Sequence, residues 1–113
     1  MLSKINRFHG YGSLNYVYRK GQTVRSPYCV MKFVYGKYDS YRVAVVVSKK
    51  VAKSAPSRNR IRRRIYEAVR LNDKKLTNQD IVVTIFDERF LEMPSIDLQK
   101  SIKRQLEQIA KWS

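Results

Sequence analysis

A chain of 113 residues that is 43% hydrophobic has the size of one small domain and can bury a core, which excludes a disordered basic tail. Lysine and arginine total 24 against 9 aspartates and glutamates, a net charge of +15 that a polyanion relieves most simply, nucleic acid first and an anionic membrane surface second. No stretch reaches the roughly 18 apolar residues of a membrane span, residues 1–7 lack the apolar core of a signal peptide, and the single cysteine, Cys29, excludes an internal disulfide or an all-cysteine zinc cluster, so a reducing, cytoplasmic setting fits.

In chain order, Tyr11, Leu14, Val17 and Tyr18 recur at helical spacing and share one face. Ser13 is suited to cap that helix, which ends before Gly21 at the C′ position. Val24 and Arg25 fit a short strand. Residues 28–35 read as a longer one, in which Cys29 behaves as a small packed hydrophobe. Residues 36–40, with Gly36, Asp39 and Ser40, form a hairpin loop leading into a strand over 41–48. The unbroken apolar run from Val43 to Val47 predicts burial on both faces, the habit of a central strand.

Pro56 and Ser57 then mark a helix start. Ile61, Ile65, Ala68 and Val69 fall at i, i+4, i+7 and i+8, one apolar stripe on a helix that runs to about Asn72. Residues 81–86 form another buried strand, so strand–helix–strand order implies a parallel pair joined by a crossover. Pro94 and Ser95 open a last helix with Leu98, Ile102, Leu106 and Ile109 as its stripe. The order α-β-β-β-α-β-α predicts an α+β sandwich, helices packed against one mixed sheet, with residues 1–113 as a single domain.

The charge is concentrated on the crossover helix and the loop before it. Of 24 basic residues, eight fall between Lys49 and Arg64. At 100° per residue, Arg63 and Arg70 lie nearly opposite the apolar stripe, Arg60 and Arg64 lie on the flank beyond Arg63, and Arg62 borders the stripe on the other side. Arg58 and Asn59 sit in the first turn near Lys49, Lys50 and Lys53. Guanidinium forks suit bidentate phosphate contacts, and a helix N-terminus adds N–H donors. A merely solvated basic face does not explain cations in a first turn that lacks an acid, because they oppose the helix dipole.

Eight tyrosines and four phenylalanines accompany these charges. Tyr11, Tyr18, Tyr28, Phe33 and Tyr35 lie among Arg7, Arg19, Arg25 and Lys32, a mixture that suits stacked, single-stranded RNA or, equally, the rim of a small core. A catalytic set is missing: His9 is the only histidine, and Asp87 and Glu88, adjacent on a strand end, point in opposite directions.

The run Ser48-Lys49-Lys50 followed by Arg58-Asn59-Arg60-Ile61-Arg62-Arg63 resembles the signature of the protein subunit of bacterial ribonuclease P. Asn6-Arg7-Phe8 resembles that family's N-terminal motif, and Val17-Tyr18 with Gly21 the end of its first helix. The resemblance implies a sandwich of the ribosomal-protein-S5 domain 2-like type with a left-handed crossover. It implies a ribonucleoprotein in which a catalytic RNA subunit removes the 5′ leader of precursor tRNA, with Mg2+ held mainly by that RNA and the substrate. No obligate protein partner is evident.

Residue by residue, it places Ser48, Lys49, Lys50, Arg58, Asn59, Arg60, Arg62 and Arg63 against the RNA subunit, and Lys53 joins them by position. Leu14 and Tyr18 match positions along the leader cleft, and Lys32 falls where many relatives carry a leader-facing tyrosine; Arg7, Phe8 and Tyr28 complete the candidate leader set. The loop 51–57 lacks the family's usual glycine and is one residue longer, and Tyr66 replaces a frequent basic residue. The alternative is a structural RNA-binding protein, such as a small ribosomal protein. A stand-alone nuclease lacks the reacting groups.

Overall fold

The computed structural model describes residues 3–8, 11–36 and 39–111. A short 3-10 helix, Lys4–Asn6, precedes helix α1 (Tyr11–Lys20). Strands β1 (Gln22–Arg25), β2 (Cys29–Tyr35) and β3 (Arg42–Val47) follow, then α2 (Ala55–Leu71), β4 (Gln79–Ile85), a second 3-10 helix (Glu88–Leu91) and α3 (Ser95–Lys111). The expected element order holds.

The four strands form one mixed sheet in the order β1-β2-β4-β3. β2 is antiparallel to β1 and β4, and β3 runs parallel to β4 across the α2 crossover. Two expectations change. The loop after β2 is no hairpin, because β4 lies between β2 and β3; its residues Lys37 and Tyr38 lie outside the described residues. β3 is an edge strand, and β2 and β4 are the interior ones. The apolar run misled because β3 is covered on both faces while one side of its ladder stays open. Among the described residues, the N-terminal segment meets that open edge, through a parallel bridge from Arg7 to Val43 and a bond from Phe8 N–H to Val43 O at 3.2 Å.

Strand alternation splits the interior in two. Met31, Phe33, Val43, Val45, Ile81 and Val83 face α2 and α3, which meet them with Ile61, Ile65, Val69, Leu98, Ile102 and Ile109. All four residues of the expected α2 stripe and all four of the α3 stripe are buried, and each fully buried aliphatic side chain stabilises by about 1.5–3 kcal/mol. The opposite face carries a smaller cluster, Ala44 and Val82 under Phe8 and Val17, with Leu14, Tyr18, Val34 and Val46 at its rim. Phe86, expected to end the last strand, lies past it and is half exposed.

Local chemistry sets the boundaries. Helix α1 already begins at Tyr11, so Ser13 lies inside its first turn and does not cap it. Gly21 ends it for reasons of space: a Cβ there would fall 2.4 Å from Val17 O and 3.0 Å from Phe33 O. Helix α2 is capped by Ser54, whose Oγ accepts the Ser57 N–H at 3.2 Å, with proline in the first turn. Asp80 is buried and held bidentately by Arg42 at 2.9 and 2.7 Å; a Cβ on Gly36 would sit 2.8 Å from its carboxylate. Among the described residues no helix is long and apolar enough to cross a membrane.

Candidate nucleic-acid interface

The loop from β3 to α2 is built to present charge. Ser48 O accepts the N–H groups of Val51 and Ala52 at 3.1 and 3.2 Å, folding the chain back, while Ala52 anchors the turn in the core. Ser48, Lys49, Lys50 and Lys53 are left exposed around the start of α2. No acidic residue stands in the first turn of that helix. Its N–H groups and the surrounding cations therefore present one uncompensated positive end.

The predicted arginines divide into distinct tasks. Arg60 and Arg63 are exposed, and among the described residues neither makes an ion pair or hydrogen bond. Arg62 donates to Asn59 Oδ1 at 2.7 Å, which fixes the Asn59 amide and leaves its N–H groups free to donate. Arg58 departs from the expectation of a free phosphate ligand. Its Nη1 donates to Ala52 O and Lys53 O, both at 3.0 Å, so it closes the loop that carries the lysines.

Arg64, on the predicted basic flank, is a structural tie. It donates to Phe90 O at 2.6 Å, Leu91 O at 3.0 Å and Met93 O, pinning α2 to the segment before α3. Burial, and after it the positive charge of Arg60, lowers its pKa from the ordinary arginine value. Arg70, placed opposite the stripe, is paired with Glu67.

The leader candidates do not all converge. Leu14, Tyr18 and Lys32 share the α1 face of the sheet. The Tyr18 hydroxyl lies 3.1 Å from Thr84 Oγ1, and Lys32 Nζ donates to Tyr18 O at 3.0 Å, serving the unpaired carbonyls at the end of α1. Of the other three, Phe8 lies on the same face but inside the core, and Arg7 and Tyr28 lie elsewhere. Phe8 is 3% exposed, a core ring under α1 with the Arg42 guanidinium 4.8 Å from its centroid, so it offers no platform for a base. Arg7 turns to the opposite face, 6.0 Å from the ring centroid of Tyr66, where its Nε is buried and, among the described residues, has no hydrogen-bond partner. Tyr28 packs at the α3 end, 5.3 Å from Phe90 and with the Arg89 guanidinium 4.7 Å over its ring. The side chain of Tyr11, and His9 altogether, lie outside the described residues.

Sequence reasoning passed over Thr84, and it noted Tyr66 only as standing where relatives often carry a basic residue. Alternation along β4 places Thr84 beside Val82 on the α1 face, a signal that was available. Tyr66 is buried beside the stripe and receives Arg7. Among the described residues no three His, Cys, Asp or Glu side chains come together as metal ligands. Asp73, Asp80 and Asp87 are taken up by Tyr41, Arg42 and Arg89. The assembled surface can grip phosphates and donate to bases.

The family profile described as Ribonuclease P matches residues 2–110. The ribonuclease P protein component of Clostridioides difficile is 41% identical over 88 residues, 77% of this chain and 76% of the relative. That of Chloroflexus aurantiacus is 37% identical over 93 residues, 81% of this chain and 68% of the relative. The RNase P protein of Staphylococcus aureus superposes with a TM-score of 0.80 at 28% identity, covering 94% of this chain and 95% of that one. The fold is shared by the RNase P protein of Thermotoga maritima, with a TM-score of 0.82 at 23% identity over 90% of this chain and 96% of that one.

Proposed function

Because the chain belongs to the ribonuclease P protein family, and is thus a subunit of the ribonuclease P endoribonuclease that acts in tRNA 5′ processing, we propose how its surfaces divide that work. The loop 48–53 and the start of α2 bind the catalytic RNA subunit, through Ser48, Lys49, Lys50, Lys53, Asn59, Arg60, Arg62 and Arg63. Arg58 acts by holding the loop closed. The α1 face holds the 5′ leader of precursor tRNA along Leu14, Tyr18 and Lys32. Residues 1–113 work as one RNA-binding domain in the cytoplasm, and Mg2+ is held mainly by the RNA subunit and the substrate.

One observation carries this reading. Among the described residues, exposed Arg60 and Arg63 stand without acidic partners one to two turns beyond a helix start that has no acid in its first turn and that exposed Lys49, Lys50 and Lys53 surround. Cations around that start oppose the helix dipole, and an RNA backbone offsets that cost and pairs the free arginines. The chain supports the chemistry by binding and orientation: it brings the leader and the RNA subunit to one scaffold. Reconstitution tests it. Protein freed of RNA should leave precursor tRNA intact, whereas protein, cognate RNA subunit and Mg2+ together should release the leader at the mature 5′ end. Correct cleavage by the protein alone would sink the proposal.

A further inference from the structure

A second basic groove lies away from the α2 motif. It occupies about 630 Å3 between the turn that joins β1 to β2 and the outer side of α3, and Arg25, Lys100 and Arg104 line it with Tyr28, Asp97 and Gln108. Lys100 and Arg104 share one face of α3 at i, i+4, and the fold brings to them Arg25, 75 and 79 positions earlier in the sequence. All three are exposed, and among the described residues none makes an ion pair or hydrogen bond. Asp97 is the one acid in the lining, which leaves an excess of two positive charges.

We propose that this groove binds a second segment of the RNA subunit by its phosphodiester backbone, separate from the segment held by α2. The inference rests on the reading that α2 faces the RNA subunit. Helices α2 and α3 pack in the same layer, on the sheet face opposite α1, so the groove continues the layer assigned to the RNA subunit and lies across the sheet from the leader face. It flanks β1 at one edge of the sheet, while the α2 motif follows β3 at the other. Two guanidinium groups in one groove suit phosphate oxygens, which they can meet bidentately. Contacts at both edges would fix the orientation of the protein on the RNA where one site would leave it free to pivot.

The buried thiol makes the test clean. Cys29 is fully buried, donates to Gln105 Oε1 at 3.1 Å, and burial pushes its pKa up to about 11, so a reagent at neutral pH labels an introduced cysteine instead. Iron–EDTA tethered at Gln108→Cys, in holoenzyme with the cognate RNA subunit and precursor tRNA, should break the RNA subunit at a discrete segment. That segment should differ from the one reached from Ala55→Cys at the start of α2. In parallel, the triple variant Arg25→Ala/Lys100→Ala/Arg104→Ala should melt like the parent. Its log affinity for the RNA subunit should depend on log salt with a slope shallower by roughly 2–3, at nearly one unit per phosphate contact.

Breaks confined to the precursor tRNA, no breaks from Gln108→Cys, or an unchanged salt slope would each overturn the proposal; an acidic protein as the true occupant would give the last two together. If Ala55→Cys alone is silent, the α2 reading fails. If Gln108→Cys alone is silent, the groove fails and the α2 reading stands.

Discussion

The two faces of the sheet differ in which cations they leave free, even though Arg64, Arg58 and Arg70 on the α2 side are tied down. On the α2 side, Arg60, Arg63 and the loop lysines are left outside the internal bonding of the protein. On the α1 side, Tyr18 meets Thr84, Lys32 meets the Tyr18 carbonyl, and Arg42 holds Asp80. A surface whose charges are unpaired declares a partner. A surface whose polar groups already serve the fold can bind only by exchanging or sharing those contacts, and its ligands must bring stacking area or shape.

The largest effect that would sharpen this contrast is expected at Asp80. Asp80→Ala removes the carboxylate from the mostly buried Arg42 guanidinium, and loss of one partner of a largely buried pair costs about 3 kcal/mol. Denaturant unfolding should show the loss, with Arg60 and Arg63 still binding the RNA subunit in whatever fraction remains folded. A stability change under about 1 kcal/mol would mean that the α1 side is less committed to folding than drawn here.

Neighbouring arginines on α2 supply the next comparison. Arg63→Ala should weaken assembly with the RNA subunit by roughly 1–3 kcal/mol and leave the melting temperature in place. Arg64→Ala should do the reverse, destabilising by roughly 1–3 kcal/mol because three backbone carbonyls lose their donor. Paired titrations and melts of both variants check it; equal behaviour of the two would erase the distinction between paired and unpaired cations.

The smallest effect separates binding from folding at Tyr18. Tyr18→Leu keeps apolar volume, gives up the stacking face, and forfeits the bond to Thr84, a loss of about 0.5–1.5 kcal/mol in stability. Base–aromatic stacking is worth about 1–3 kcal/mol per base, so holoenzyme with this variant should lose affinity for leader-bearing precursor and retain it for mature tRNA. Equal weakening for both ligands would move the leader off the α1 face.

The same contrast governs what could be read beforehand. The stripes of α2 and α3 and the unpaired cations follow from spacing and charge along one helix, so the sequence disclosed them. Strand order did not follow, because the apolar run of β3 is produced by layers above and below it and carries no mark of which side has a neighbour. Arg64 was grouped with Arg60 since the wheel places them together, yet its acceptors come from residues 90–93, far along the chain. Arg7 and Tyr28 were set beside Tyr18, yet the topology sends them to Tyr66 and to the α3 end; Phe8 stays in the cluster that Tyr18 joins, but buried within it.

One consequence lies at the open edge of β3. Its ladder groups flank a run of five apolar residues, the composition from which strands of separate molecules zip together. The segment that carries Arg7 and Phe8 lies against that edge through a single bridge and one backbone bond. Those first residues thus act as a guard as well as core filling. While they are in place, less of that edge is open as a template for strand pairing with another molecule, and removing them would expose more of it.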